Sequence, residues 1–250
     1  MMYNTGCHVM KGYLVRVGID LTTASGNWVA PVDPVTYRFA YVPILENEAN
    51  GKKPIRAGYG TTYEKFRGVC DFLGKALPHR FLKRHSHLDP DFEYLTYGDE
   101  GLRGKPLFEL ESGDILAFYA SLRPVKESID NKLIYALIGL FVVDRRMSGE
   151  AIPEEDWHKN AHTRRQPDHT DIVVFGKEGL SGRLERCIPI GGWRDGAYRV
   201  GQELLDGWGG LLRVRNGWIQ RSAVLPQFRD PQKFYDWFKK QKVRLVHKNN

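Results

Sequence analysis

Apolar positions along this chain fall into short, dense runs rather than long helical stripes. The two densest lie close together, at 115–119 (ILAFY) and 133–143 (LIYALIGLFVV), with a charged stretch of thirteen residues, 120–132, between them. Runs so rich in aromatic and β-branched side chains, bounded by turn residues, predict buried strands. Glu111-Ser112-Gly113-Asp114 supplies a tight bend before the first run, because Gly tolerates positive φ and Asp bonds the turning backbone. Gly139, inside the second run, marks a bulge or a close backbone approach. The pair is expected at the centre of a sheet.

Further strands are predicted at 13–19 (YLVRVGI), 37–45 (YRFAYVPIL), 172–175 (IVVF) and 184–190, with Pro43 pointing to an edge or a strand end. Two stretches have helical spacing. Over 63–77 the apolar residues are Phe66, Val69, Cys70, Leu73 and Leu77; Gly68 and Gly74 weaken the helix and Pro78 ends it. Over 231–240, Asp230 reads as the cap, Pro231 as the first position, and Phe234, Trp237, Phe238 and Gln241 as the buried face. Residues 150–165 read as a short helix or capped turn, 46–59 as a loop, and 191–221 have no clear period. The fold class that follows is α+β: a central, mostly antiparallel, barrel-like sheet with peripheral helices at 63–77 and 231–240. Residues 11–250 read as a single domain behind a loose leader, 1–10.

A hydrophobic content of 42% is ordinary for a soluble protein able to bury one substantial core. No window holds eighteen consecutive apolar residues, so no membrane span is expected. Cys7, Cys70 and Cys187 are odd in number and far apart, which points to a reducing cytoplasm and away from a disulfide framework or a zinc ribbon. The net charge of +7 suits a polyanionic partner. The Walker loop, the G-x-S-x-G elbow and the P-C-x-x-C deaminase pattern are all absent.

Two polar clusters carry the candidate chemistry. In His85, His87, Asp89, Asp91, Glu93 and Asp99, the H-x-D-x-D pattern puts alternate side chains on one face of an extended chain, suited to a hard-metal site or an acid–base pair. Asp89-Pro90-Asp91 also reads as a simple turn, and the spacing specifies no metal site. In the second cluster His158 and His162 would share a helix face, a geometry that can bind a metal although no Glu follows His158 as H-E-x-x-H needs, with Trp157, Asn160, Arg164 and Arg165 beside them. The Arg pair suits a phosphate, or equally a solvated helix end balancing the dipole. Aromatic residues near Gly and Arg, Trp28 and Tyr119 among them, could stack on a base, although most of the six Trp are expected in packing.

The phrases VRVGID, GNWVAPVD and RFAYVPILE within 15–46, HLDPDFEYLTYGD at 87–99 and GDILAFYASL at 113–122 resemble the nucleotide modification associated domains, the third type in particular. HKNAHTRR and FGKEGLSGRLERCIPI extend the resemblance over nearly the whole chain, with Leu45 standing where a proline is expected. It implies a part in making or handling modified bases in prokaryotic or phage DNA-modification systems, with DNA or a nucleotide and the other proteins of such a system as partners. A strand, a Gly-Asp turn and a strand ending in an aromatic and a tyrosine is also the order in PUA-like modules that read modified bases. By that analogy Tyr119 and Ser121 border a pocket.

The leading expectation is therefore a module that binds a modified or flipped nucleotide through Arg16, Trp28, Tyr119, Ser121, His158, Asn160 and Arg164. Arg would hold phosphate, aromatics would stack on the base, and His or Asp would read its edge. The rival is a base-modifying transferase or hydrolase in which Asp20, Asp89 or Asp91 is the general base and His162 stabilises developing charge. A non-catalytic interaction subunit is the third reading. No motif specifies a cofactor. Convergence of the 87–99 and 158–165 segments on one site is the structural test.

Overall fold

The computed structural model describes residues 8–21, 25–46, 53–125, 132–219 and 224–250. Among them the strands run β1 (Gly12–Arg16), β2 (Pro31–Val32), β3 (Ile44–Leu45), β4 (Ser86–His87), β5 (Thr96–Asp99), β6 (Ile115–Pro124), β7 (Ile134–Ser148), β8 (Ile172–Gly176), β9 (Gly182–Arg194), β10 (Ala197–Val200) and β11 (Leu245–Val246). The helices are α1 (Gly101–Gly104), α2 (Ala161–Arg164), α3 (Gln202–Gly207) and α4 (Pro231–Lys240), joined by short 3-10 turns.

The two dense apolar runs do form the centre of the sheet. β6 and β7 pair antiparallel from Ile115↔Val142 to Leu122↔Ile134. β1 and β2 both lie parallel to β6, and β1 pairs from Gly12↔Ile115 to Arg16↔Tyr119. On β7, β9 takes the first half and β8 the second; β5 continues from β8, while β10 and β11 join β9. β3 and β4 make a separate two-stranded ribbon. The pairings run from β1 to β5 without returning, so the sheet is large, mixed and open. The expected barrel is thus corrected, although apart from the pairings of β1 and β2 with β6 the strands do pair antiparallel as expected. At fifteen residues β7 is long enough to serve two neighbours in tandem, so the sheet branches instead of closing. The outer edge of β1 is covered, because the Leu14 N–H donates to the Pro226 carbonyl at 2.8 Å.

Side chains alternate across the sheet into two cores. Leu116, Phe118, Ala120 and Leu122 of β6 enter one, with Phe92, Tyr97 and Phe141; Ile115, Ala117 and Tyr119 enter the other, with Trp208, Phe228 and Phe234. On β7 the parity inverts. Ala136 and Ile138 share a core with Phe141 and Val143, because Ile138 is an extra residue: Phe118 pairs with Gly139 and Tyr119 with Leu137. Gly139 also gives way to a ring, since a Cβ there would meet Phe92 Cζ at 2.6 Å.

α4 matches its expectation. The Asp230 carboxylate accepts the Lys233 N–H at 2.9 Å, Pro231 opens the helix, and Phe234 and Phe238 are buried. The helix expected at 63–77 is corrected to two 3-10 turns, Tyr63–Phe66 and Asp71–Leu73. Gly68 (φ 82°) and Gly74 (φ 64°) adopt left-handed backbone and end each turn; of the five expected apolar residues Phe66, Cys70 and Leu77 are still buried, while Val69 and Leu73 are half-buried. In 37–45 only Ile44–Leu45 is a strand: Tyr37 turns the chain at φ 57°, and Phe39 makes an isolated bridge to Val32. The stretch 120–132 starts as strand to Pro124; 126–131 lie outside the described residues. Of the expected leader, 1–7 also lie outside them, while the His8 ring reaches Asp114 at 2.7 Å. No helix among the described residues is long and apolar enough to cross a membrane.

Candidate functional site

β4 ends at His87, and the extended chain beyond it aims Asp89 to the same side. β5 comes back alongside, and the Gly98 N–H donates to both oxygens of Asp89 at 2.8 and 3.0 Å. Asn160 Nδ2 adds a donor at 3.3 Å. The same Asn160 caps α2, its Oδ1 accepting the His162 N–H at 2.8 Å. Starting the helix there brings His162 under Asp89, with Nε2 3.5 Å from Asp89 Oδ2. His87 Nε2 lies 4.0 Å from that same oxygen, and the two imidazoles meet edge to face at 5.0 Å. Gly98 makes room for this: a Cβ would stand 2.5 Å from His162 Cδ2 and 2.7 Å from Asn160 Oδ1.

Each histidine is backed by a carboxylate on its other nitrogen. His87 Nδ1 lies 2.9 Å from Glu46 Oε2, and His162 Nδ1 lies 2.6 Å from Asp171 Oδ1. Asp171 sits at the mouth of β8, where its Oδ2 accepts the Asp168 N–H at 2.8 Å and Lys53 Nζ at 2.5 Å. Lys53 also binds Glu100 and, at 2.9 Å, Asp168. Arg165 Nη2 is 3.1 Å from Glu100, 3.0 Å from His162 Nδ1 and 3.6 Å from Asp171, and its Nη1 is 3.7 Å from Glu46.

These contacts set the protonation states. Burial works to raise the Glu46 carboxyl, but the hydrogen bond and charge of His87, with Arg165 and His162, outweigh it and bring it down to about 2. For Asp171 burial is likewise overcome, by His162, Lys53 and the Asp168 N–H, and the carboxyl lies well below the usual range. Burial pulls His162 below the ordinary imidazole value. An ionised carboxylate 2.6 Å from a ring nitrogen requires a proton between them, so Nδ1 of His162 carries it and the lone pair of Nε2 faces Asp89. Asp89, with no lysine or arginine paired to it among the described residues, is pushed well above the carboxylate range, first by burial and then by Asp99 and Asp91.

The floor opens on a cleft of about 560 Å³. One wall carries Arg16, which holds Asp20 at 3.1 Å, Ser121 Oγ at 2.7 Å and the Tyr135 hydroxyl at 3.1 Å. Another carries Arg103, 2.9 Å from Asp99, and Tyr97, whose hydroxyl donates to Asp99 at 2.5 Å. The lip is apolar, with Ile44 and Val224 largely exposed. Charged walls under an apolar lip suit a polar small molecule that also has an apolar face.

Of the residues singled out by sequence, the cleft brings together Arg16, Asp20, His87, Asp89, Asp99, Tyr119, His162 and Arg165. Ser121 is buried behind it and positions Arg16; Asn160 positions Asp89 and His162. Tyr119 is only 1% exposed and packs on Tyr135, so it offers no open face for stacking. Trp28 packs edge-on against Phe81. His158 is exposed, and it shares no face with His162 because it lies in the 3-10 turn Glu154–Lys159, which the Asn160 cap separates from α2. Asp91 and Arg164 are paired to one another at 2.8 Å in the interior, away from the cleft. Glu46, Lys53, Glu100, Arg103 and Asp171 were not marked by any motif. The H-x-D signal marked His87 and Asp89; an Asp directly before a buried strand was the one local sign of Asp171.

No curated protein and no solved structure matches this chain. The sequence model of nucleotide modification associated domain 3 matches residues 11–206, which include the whole of the His87–Asp89–His162 floor and its carboxylates. The chain belongs to the nucleotide modification associated domain 3 family.

Proposed function

We propose that this protein takes a nucleotide, free or flipped from DNA, into the cleft and acts on its base at the His87–Asp89–His162 floor. The observation that carries the reading is the convergence of two carboxylate-backed histidines on one buried aspartate at the bottom of a nucleotide-sized cleft. A protein that only reads a base needs donors and acceptors at the base edge. Two imidazoles held by second carboxylates are the arrangement of a site that moves protons or polarises bonds. The apolar lip suits the faces of a base, and Arg103 and Arg165 are within the lining to meet its polar atoms. A second groove of about 1010 Å³, along β9 and β11 and lined by Arg183, Arg186, Arg244 and Lys248, offers a polyanion such as DNA a place to lie.

The test is binding to short DNA carrying unmodified or modified bases at two salt concentrations, followed by mass analysis of the recovered DNA. A mass shift that disappears in Asp89→Asn supports an enzyme and names the reaction. Base-selective binding with unchanged mass makes the protein a reader. Salt-sensitive binding without base preference contradicts both and leaves a generic basic surface.

A further inference from the structure

We infer that His87 Nε2, Asp89 and His162 Nε2 form a binding site for one divalent transition-metal ion, with the remaining coordination positions turned to the cleft. The ligand atoms of these three residues lie within 4.8 Å of one another. An ion bound at about 2.1 Å to each sets ligand atoms roughly 3.0–3.4 Å apart, so the separations of 3.5 and 4.0 Å to Asp89 close with ring movements below about 1 Å.

Three further observations point to an ion. Both imidazoles give their Nδ1 to a carboxylate, Glu46 or Asp171, which fixes the tautomer with Nε2 bare and is the outer support that metal-bound histidines have. The two Nε2 lone pairs therefore face one Asp89 oxygen, at 3.5 and 4.0 Å. The surrounding charge is also unbalanced: Glu46, Glu100, Asp168 and Asp171 are met by only Lys53 and Arg165 among the described residues. The other candidate grouping, Glu100, His162 and Asp171, is already filled, because the Lys53 ammonium lies against both carboxylates.

Two imidazoles and one carboxylate favour zinc, iron(II), cobalt(II) or manganese(II) over magnesium or calcium, which take oxygen ligands. Three protein ligands leave positions for water or a substrate atom, as in catalytic rather than structural sites. The site stands whether or not the cleft receives a nucleotide.

The experiment uses tag-free full-length protein, stripped with chelator and titrated with Zn²⁺ or Co²⁺ alone, reading bound metal after dialysis and the visible Co²⁺ spectrum. One equivalent is expected, with a nitrogen-ligated Co²⁺ spectrum. His87→Ala and Asp89→Ala weaken binding by more than about 100-fold, and Glu46→Gln, which leaves all three ligands in place, by about 10–100-fold. His79→Ala, at an exposed site, leaves it unchanged. Should Asp89→Ala not fold, His87→Ala and Glu46→Gln carry the test. Failure of the wild type to retain an equivalent of either ion overturns the inference, as does binding that His87→Ala leaves intact.

Discussion

Asp91 and Arg164, which sequence alone offers as a general base and a phosphate ligand, form a buried pair whose removal should cost stability first. Asp91 is 1% exposed and the Arg164 side chain 9%. Asp91 Oδ1 is well supplied, accepting Asn249 Nδ2 at 3.0 Å and the Glu93 N–H at 3.1 Å. Oδ2 depends on Arg164 Nη2 at 2.8 Å. Arg164→Met keeps the stem that packs in the interior but leaves a carboxylate there without its cation. Breaking a buried pair from one side costs about 3–5 kcal/mol. For a chain of this length that corresponds to a melting point lower by roughly 6–20 °C. The assay is urea unfolding of wild type, Arg164→Met, Asp91→Asn and the double variant, reading the midpoint at unchanged slope. The double variant should be markedly more stable than the sum of the single losses implies, since it leaves no isolated charge. An Arg164→Met protein within about 1 kcal/mol of wild type, yet deficient in nucleotide binding, would refute the structural assignment and return Arg164 to the site.

Two further substitutions test the local account. Gly98→Ala places a Cβ against His162 and Asn160; it should cost about 1–3 kcal/mol and lower turnover and metal retention together, measured by unfolding and by dialysis. A variant that folds as wild type and keeps both properties would show that this close packing is unimportant. Asp230→Ala removes the α4 cap and should cost about 1 kcal/mol in urea unfolding with the cleft unaffected.

Local rules made part of this molecule legible. The central strands, the Gly139 approach and the capped α4 follow from runs, glycines and caps that act over a few residues. The helix at 63–77 fails because Gly68 and Gly74 break the backbone between contacts; burial was legible there at Phe66, Cys70 and Leu77 but not at Val69 and Leu73, and conformation was not legible. The barrel fails for a different reason. Ile138 inverts the parity of β7, and nothing in an unbroken apolar run reveals that one strand has two successive neighbours. In the site, the H-x-D pattern marks His87 and Asp89, since both lie on one extended segment. Glu46 and Lys53 come from 46–59, a stretch that reads as a loop, and only long-range folding brings Glu46 to His87 and Lys53 to Asp171. Arg164 and Asp91 illustrate the converse: residues with the chemistry of a site can be spent on joining a loop to the C-terminal Asn249 inside the protein.

The most direct test of the central claim is to locate the bound nucleotide. The wild-type chain would be photo-crosslinked to short DNA and to free nucleotides carrying a reactive base, digested, and the linked peptides mapped by mass spectrometry. Crosslinks are predicted in the peptides that contain Arg16 and Asp20, His87 and Asp89, or Val224 to Pro226, which line the cleft. Crosslinks confined to the groove of Arg183, Arg186 and Arg244, with none at the cleft, would contradict it.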